Sequence, residues 1–476
     1  MTDLADNPVL APWAGAHGGA PDFAPIRPEH FTPALEEAMA RYRAEIAAIA
    51  ANPDAPSFAN TLEAMERAGH DYRQAGVLMS IFNSTLSDAA MQKVQREMAP
   101  KLAAFRDEIF HNRALFTRIA AIYDARETSG LNAEQQRLAD VIHKRFTRQG
   151  AALPDAQKHR LAEINQRLAS LYTSFSQNIL ADEESDVLVL ESQDDLAGLP
   201  AYLVDAAASE GERRGLNGKW ALANTRSIMD PFITFSARRD LREKALAMWA
   251  GRGDQGGEHD NNAAIAEVLK LRKEKARLLG HESFAHWIAE GQMAKTPNAA
   301  MALLKEVWTP AVARVREEVA DMQEIAAAEG ANEPIKAWDY RYYAEKVRMA
   351  KFDLSDDELK PYLQLGKLRD GMFWAAGELY GLTFTPAKDV PVYHPDVDVF
   401  EVTRDGQRVG LWYFDLYARP GKRSGAWMSE YRTQQKLAGV TPIVSNNSNF
   451  TRGAPGEAVL ISWTDAVTLF HEFGHG

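Results

Sequence analysis

The chain has 476 residues, a formal net charge of −12, 46% hydrophobic and 25% charged residues, and no cysteine. That is the make-up of a soluble globular protein with room for roughly two to four domain-sized units. It excludes a disulfide framework or a thiolate metal site and argues against a nucleic-acid partner; no apolar run reaches bilayer-spanning length, so no membrane partner is expected.

The opening residues Met1-Thr2-Asp3-Leu4-Ala5-Asp6 carry acid where a signal peptide carries base, so the cytoplasm is the expected location. The first thirty residues, rich in Pro, Gly and Ala, read as an extended arm. Thr32-Pro33 opens a helix whose Leu35, Met39, Tyr42, Ile46 and Ile49 form one apolar stripe, closed by Asn52-Pro53. A short helix through Leu62 and Met65 stops at Gly69. Asn132 with Gln135 caps a helix through Leu138, Val141, Ile142 and Phe146 to Gly150. A long helix follows with a heptad-like seam of Leu161, Ile164, Leu168, Leu171 and Phe175.

Val187 to Leu190 reads as a short strand, and helical patterns resume from about Arg238 to Gly330, including 263–279 and 299–328, whose apolar stripes are read as core. Residues 251–257 form a Gly-rich loop. Near Asp389 the texture changes. Val397 to Thr403, the turn Asp405-Gly406 and Val409 to Tyr417 predict a β-hairpin, and Thr441 to Phe450 a further strand with a polar end at Asn446-Asn447-Ser448-Asn449. The exposed edge of such a sheet can hold an extended peptide by main-chain hydrogen bonds.

The last six residues, His471-Glu472-Phe473-Gly474-His475-Gly476, spell H-E-x-x-H. Residues four apart share one helix face, so His471 and His475 can direct imidazole nitrogens at one Zn²⁺ ion. Glu472 beside them can handle protons on a zinc-bound water. Ser462 to Phe470 leads in with a cap and an acidic first turn, and Ala466, Leu469, Phe470 and Phe473 predict the buried face of this helix. A catalytic zinc takes three protein ligands and keeps one position open; two are visible. The remaining histidines lack ligand spacing and are read in surface or hydrogen-bonded core roles; His394, leading into the hairpin, is the one that could approach the site. Asp356-Asp357-Glu358 is read as a solvated helix start. A H-E-x-x-H-x-x-G-x-x-H protease stays open as an alternative.

Phe470 to His475 resembles the zinc motif of the thimet oligopeptidase family of metallopeptidases. Gln292-Met293-Ala294-Lys295-Thr296-Pro297, 342–348, Lys351-Phe352-Asp353-Leu354 and 391–397 resemble its bacterial peptidyl-dipeptidase (dipeptidyl carboxypeptidase) branch, and 28–34 and 60–62 agree. The resemblance implies a mainly α-helical, two-lobed body with a small β-sheet near the zinc helix and a deep channel that admits short or unfolded peptides. It implies His471 and His475 as zinc ligands and Glu472 as the catalytic group. It places the third ligand, a glutamate, and the substrate-binding groups downstream, where this sequence has no counterpart. The expectation is a truncated member whose C-terminal helical part is absent. Three segments are expected: an arm and helical domain over 1–190, a helical middle over 191–388, and the start of the catalytic domain over 389–476.

The expected activity is zinc-dependent release of C-terminal dipeptides from oligopeptides by a monomer, with oligopeptide endopeptidase action as the alternative. The alternative of another class is an inactive fragment or binding-only helical scaffold, which predicts weak two-histidine zinc binding and an exposed apolar patch beside the motif.

Overall fold

The computed structural model describes residues 6–352, 356–452 and 458–476. The opening residues 1–5, Asp353 and Leu354 of one resembling segment, and the side chains of Asp356 and Asp357 lie outside the described residues. Most of the described residues are helical, and among them two small sheets form. The chain divides into two compact units, one of residues 1–12, 25–177 and 261–302, the other of residues 13–24, 178–260 and 303–476. The divisions at 177 and 302 fall inside the helices Asp155–Ser185 and Pro297–Ala328.

The first unit is helical, and its core confirms most of the stripes. Helix Phe31–Ala50 buries Leu35, Met39, Ile46 and Ile49, and Ile46 and Ile49 pack with Leu62, Ile119, Ile142 and Phe146. Asn132 and Gln135 cap helix Ala133–Arg148 reciprocally, side chain to backbone in both directions. Helices His70–Thr85, Ala89–Phe110 and Arg113–Ala125, unread in the sequence, complete the bundle. Leu161, Ile164, Leu168 and Leu171 are buried, whereas Phe175 is exposed.

Two stripes read as core are corrected. Along Asn262–Leu278 only Lys275 and Ala276 are buried, and Ile265 and Leu269 face solvent. Along Pro297–Ala328, Leu303, Leu304, Val307 and Trp308 are exposed and only Met322 and Ala326 are buried. Periodicity marks which helix face is apolar; whether anything packs on that face depends on residues far away in the chain.

In the second unit, β1 (Val187–Leu190) pairs antiparallel with β2 (Trp220–Ala223). A five-stranded sheet joins β3 (Leu382–Pro386), β4 (Val397–Arg404), β5 (Gln407–Tyr417), β6 (Trp427–Arg432) and β7 (Ile443–Phe450) in the order β3-β4-β5-β7-β6. The predicted hairpin is β4–β5, and its turn residues Asp405 and Gly406 both have positive φ, 51° and 74°, as a two-residue hairpin turn of matching twist requires. The sheet begins at Leu382, before the texture change seen near Asp389, and β5 and β7 pair in parallel.

Alternate residues of β5 face opposite sides. Trp412 and Phe414 join Phe400, Phe450, Ile461, Ala466 and Leu469 in an apolar core beneath helices Leu365–Tyr380 and Trp463–His475. Tyr413 and Asp415 face the other side, where Phe23 of the N-terminal arm meets Tyr413 and Tyr393 edge-on. The arm is fixed there by Arg432, whose Nη1 donates to the carbonyls of Gly18 and Gly19 at 3.0 Å each.

Candidate metal centre

The motif helix spans Trp463–His475, as the sequence predicts. Its entry is pinned by two backbone bonds, Ile461 N–H to the Leu363 carbonyl at 3.0 Å and Leu365 N–H to the Val459 carbonyl at 2.9 Å. Ser462 is the N-cap: its Oγ accepts from Asp465 N–H at 3.1 Å and donates to the Asp465 carboxylate at 2.9 Å. Burial pushes the Asp465 carboxyl up, against the pull of those Ser462 bonds.

Ala466 and Leu469 are buried and Phe473 is partly buried against Trp412 and Phe384, with ring centroids 5.4 and 5.8 Å away. Phe470, expected on the buried face, is 42% exposed, and shares the open face with Trp463 and Val467 at 59% and 53%. The reason is angular. Phe470 follows Leu469 by a single step of about 100°, and one step turns it off the stripe that Ala466, Leu469 and Phe473 keep. An apolar patch beside the motif, expected from the sequence, is therefore present.

His471 and His475 project from the exposed side, ring planes at 85° and centroids 4.7 Å apart, with their Nε2 atoms 3.1 Å apart. A tetrahedral zinc with Zn–N bonds of about 2.0–2.1 Å sets two nitrogens about 3.4 Å apart, close to this spacing, so the pair fits the ion as two of its ligands. With both rings neutral the same spacing suits an N–H···N bond between complementary tautomers. Glu472, between them in sequence, is buried at 8% exposure. Among the described residues no three His, Asp or Glu side chains converge as a metal site, so the histidines stand as a pair.

Two contributors to the site were not read from the sequence. Asn446 on β7 donates from Nδ2 to the carbonyl oxygen of Glu472, and its own Oδ1 accepts from Trp412 Nε1–H at 2.5 Å. The signal was the polar run ending β7 just before the motif, which gave no partner for any of its members. His394 is bonded locally: its Nδ1 accepts from Asp396 N–H at 3.3 Å.

Comparison with known proteins follows the same residues. The pattern described as Peptidase family M3 matches residues 232–476. The dipeptidyl carboxypeptidase of Escherichia coli (strain K12) is 36% identical over 458 residues, 96% of this chain and 67% of that protein. Oligopeptidase A of Salmonella typhimurium is 30% identical over 478 residues, 99% of this chain and 69% of its own length. Saccharolysin of Saccharomyces cerevisiae is 22% identical over 448 residues, 89% of this chain and 61% of that protein.

Proposed function

The chain belongs to peptidase family M3, and from that premise we propose that it hydrolyses peptide bonds in oligopeptides with one zinc ion, releasing dipeptides from a free C-terminus. The observation that carries the reading is the pair of Nε2 atoms 3.1 Å apart on one helix face with Glu472 between them in sequence. Zinc, when bound there, supplies a Lewis acid that polarises the scissile carbonyl. His471 and His475 present Nε2 lone pairs to it as neutral imidazoles. Glu472 takes a proton from the attacking water and returns it to the leaving amine nitrogen. Its low exposure limits the bulk water that competes for the carboxylate.

Strand β6 is an edge of the sheet, and the motif helix packs over β7 and β6. A short or unfolded peptide can add to that edge as a further strand. The substrate is thus a peptide, handled by a monomer without nucleic-acid or membrane partners. A cytoplasmic setting goes with a cysteine-free sequence; among the described residues no helix is long and apolar enough to cross a membrane.

The deciding assay compares one oligopeptide with a free and with an amidated C-terminus, using the 476-residue chain with zinc. Dipeptide release from the free form alone supports the reading. Internal cleavage of the amidated form at equal rate assigns endopeptidase action of the kind named for an oligopeptidase, and turnover that survives Glu472→Gln rejects the mechanism.

A further inference from the structure

Helices fray at their ends, where the last carbonyls lack intrahelical donors. The motif helix places its second histidine in that last turn. The carbonyl of Glu472, one residue after His471 and three before His475, receives two donors instead of one. Gly476 N–H reaches it at 3.2 Å along the helix, and Asn446 Nδ2–H reaches it from strand β7.

Asn446 is itself fixed. It is 1% exposed, and its Oδ1 takes the indole N–H of Trp412, also 1% exposed. The Trp412 ring is wedged among Phe373, Phe400, Phe414 and Phe473, with centroids 5.4, 5.7, 4.4 and 5.4 Å away. The amide can sit only one way round. Reversed, it would set NH₂ against an indole N–H and oxygen against a carbonyl oxygen. An amide of this length meets both demands, accepting from the indole and donating to the helix. Aspartate keeps the first and turns the second into acceptor against acceptor; leucine keeps neither.

We propose that Asn446, braced by Trp412, is a positioning residue for the His471–His475 pair and sets how tightly the chain holds a divalent ion. The inference rests on the zinc reading above. Asn446 touches neither ring; it fixes the roll of the last helical turn, so the two Nε2 atoms stay at a spacing one ion can bridge. Groups that orient metal ligands in this indirect way change affinity by about 10- to 100-fold when removed.

The test uses the 476-residue chain, with Zn²⁺ affinity measured by competition with a chromophoric chelator and Co²⁺ as a visible-absorption probe of ligand geometry. Near-UV circular dichroism first establishes that each variant is folded. Asn446→Asp is expected to weaken Zn²⁺ binding about 10- to 100-fold and to alter the Co²⁺ spectrum. Trp412→Phe, which keeps the ring and loses the donor, is expected to weaken it less, and to add nothing in an Asn446→Leu background. A merely structural role would lower the unfolding midpoint and leave the affinity and spectrum of the folded protein unchanged. Unchanged affinity and spectrum in Asn446→Asp overturn the proposal; should that variant fail to fold, the same result in Trp412→Phe overturns it. If the unsubstituted chain binds no more metal than His471→Ala, the zinc reading itself has failed, and the positioning role with it.

Discussion

Lys422 Nζ lies 2.8 Å from Asp415 Oδ1, and both side chains are closed off from solvent. Arg419 adds a bidentate pair at 2.7 Å to each carboxylate oxygen, and Tyr393 donates its hydroxyl at 2.8 Å. Burial pushes the Asp415 carboxyl up, but Arg419 and Lys422 outweigh it and hold the group below its usual range.

Removing the charge of Asp415 alone takes from Lys422 and Arg419 the buried carboxylate that both contact. Asp415→Asn is therefore expected to destabilise the second unit by about 3–5 kcal/mol, the usual cost of breaking a buried ion pair from one side. Urea unfolding followed by tryptophan fluorescence measures it as a lowered midpoint.

A pH response is expected where the arm is fastened. His17 lies 2.9 Å from Glu401 and 3.1 Å from Asp389. The Glu401 hydrogen bond, and then Asp389, raise its pKa against the lowering effect of burial. A raised folded-state value means the stabilisation is complete below the unfolded value, about 6.5, and is lost as pH rises through the folded one. Hydrogen exchange over residues 13–24, corrected for intrinsic rates, should thus quicken on the alkaline side. His17→Gln should remove that dependence, and an unchanged profile in the variant would show that other groups fasten the arm.

Neighbouring residues of the motif helix should differ sharply. Leu469 is 1% exposed and Phe470 42% exposed. Leu469→Ala is expected to cost about 2–5 kcal/mol through the cavity it leaves. Phe470→Ala is expected to stay within about 0.5 kcal/mol of the parent. Equal losses in denaturant titration would contradict the observed facing of this helix.

Ser462→Ala removes the cap of the same helix and should cost about 1 kcal/mol. The cap sits at the far end from the histidines, so Zn²⁺ affinity of the folded variant should be unchanged. A matching loss of affinity would mean that the histidine pair depends on the helix as a whole.

Legibility in the sequence followed the distance over which each signal acts. The Asn132–Gln135 cap, the Asp405-Gly406 turn and the His471–His475 spacing are local, and each appears where its residues predicted it. Phe175 keeps the seam's spacing yet is exposed, because spacing marks a face and not what packs on it; Phe470 lies one helical step from Leu469, and that rotation turns it to the open side. Strand β3 alternates only over Leu382 to Thr385 and β6 hardly at all, windows too short to mark a strand, and both are held by neighbours in the sheet. The Trp412–Asn446–Glu472 chain joins residues separated by 34 and then 26 positions, so no window of sequence contains it.

The parallel step between β5 and β7 places β7 inside the sheet and leaves β6, its predecessor in the chain, at the rim. A rim strand is zipped along one side only, so it can peel away while β7 stays laced to β5. Asn446 rides on β7. Loosening of β6 therefore leaves the Asn446 bond to the last turn of the motif helix in place, so the outer strand and the strand that latches the helix end can move independently.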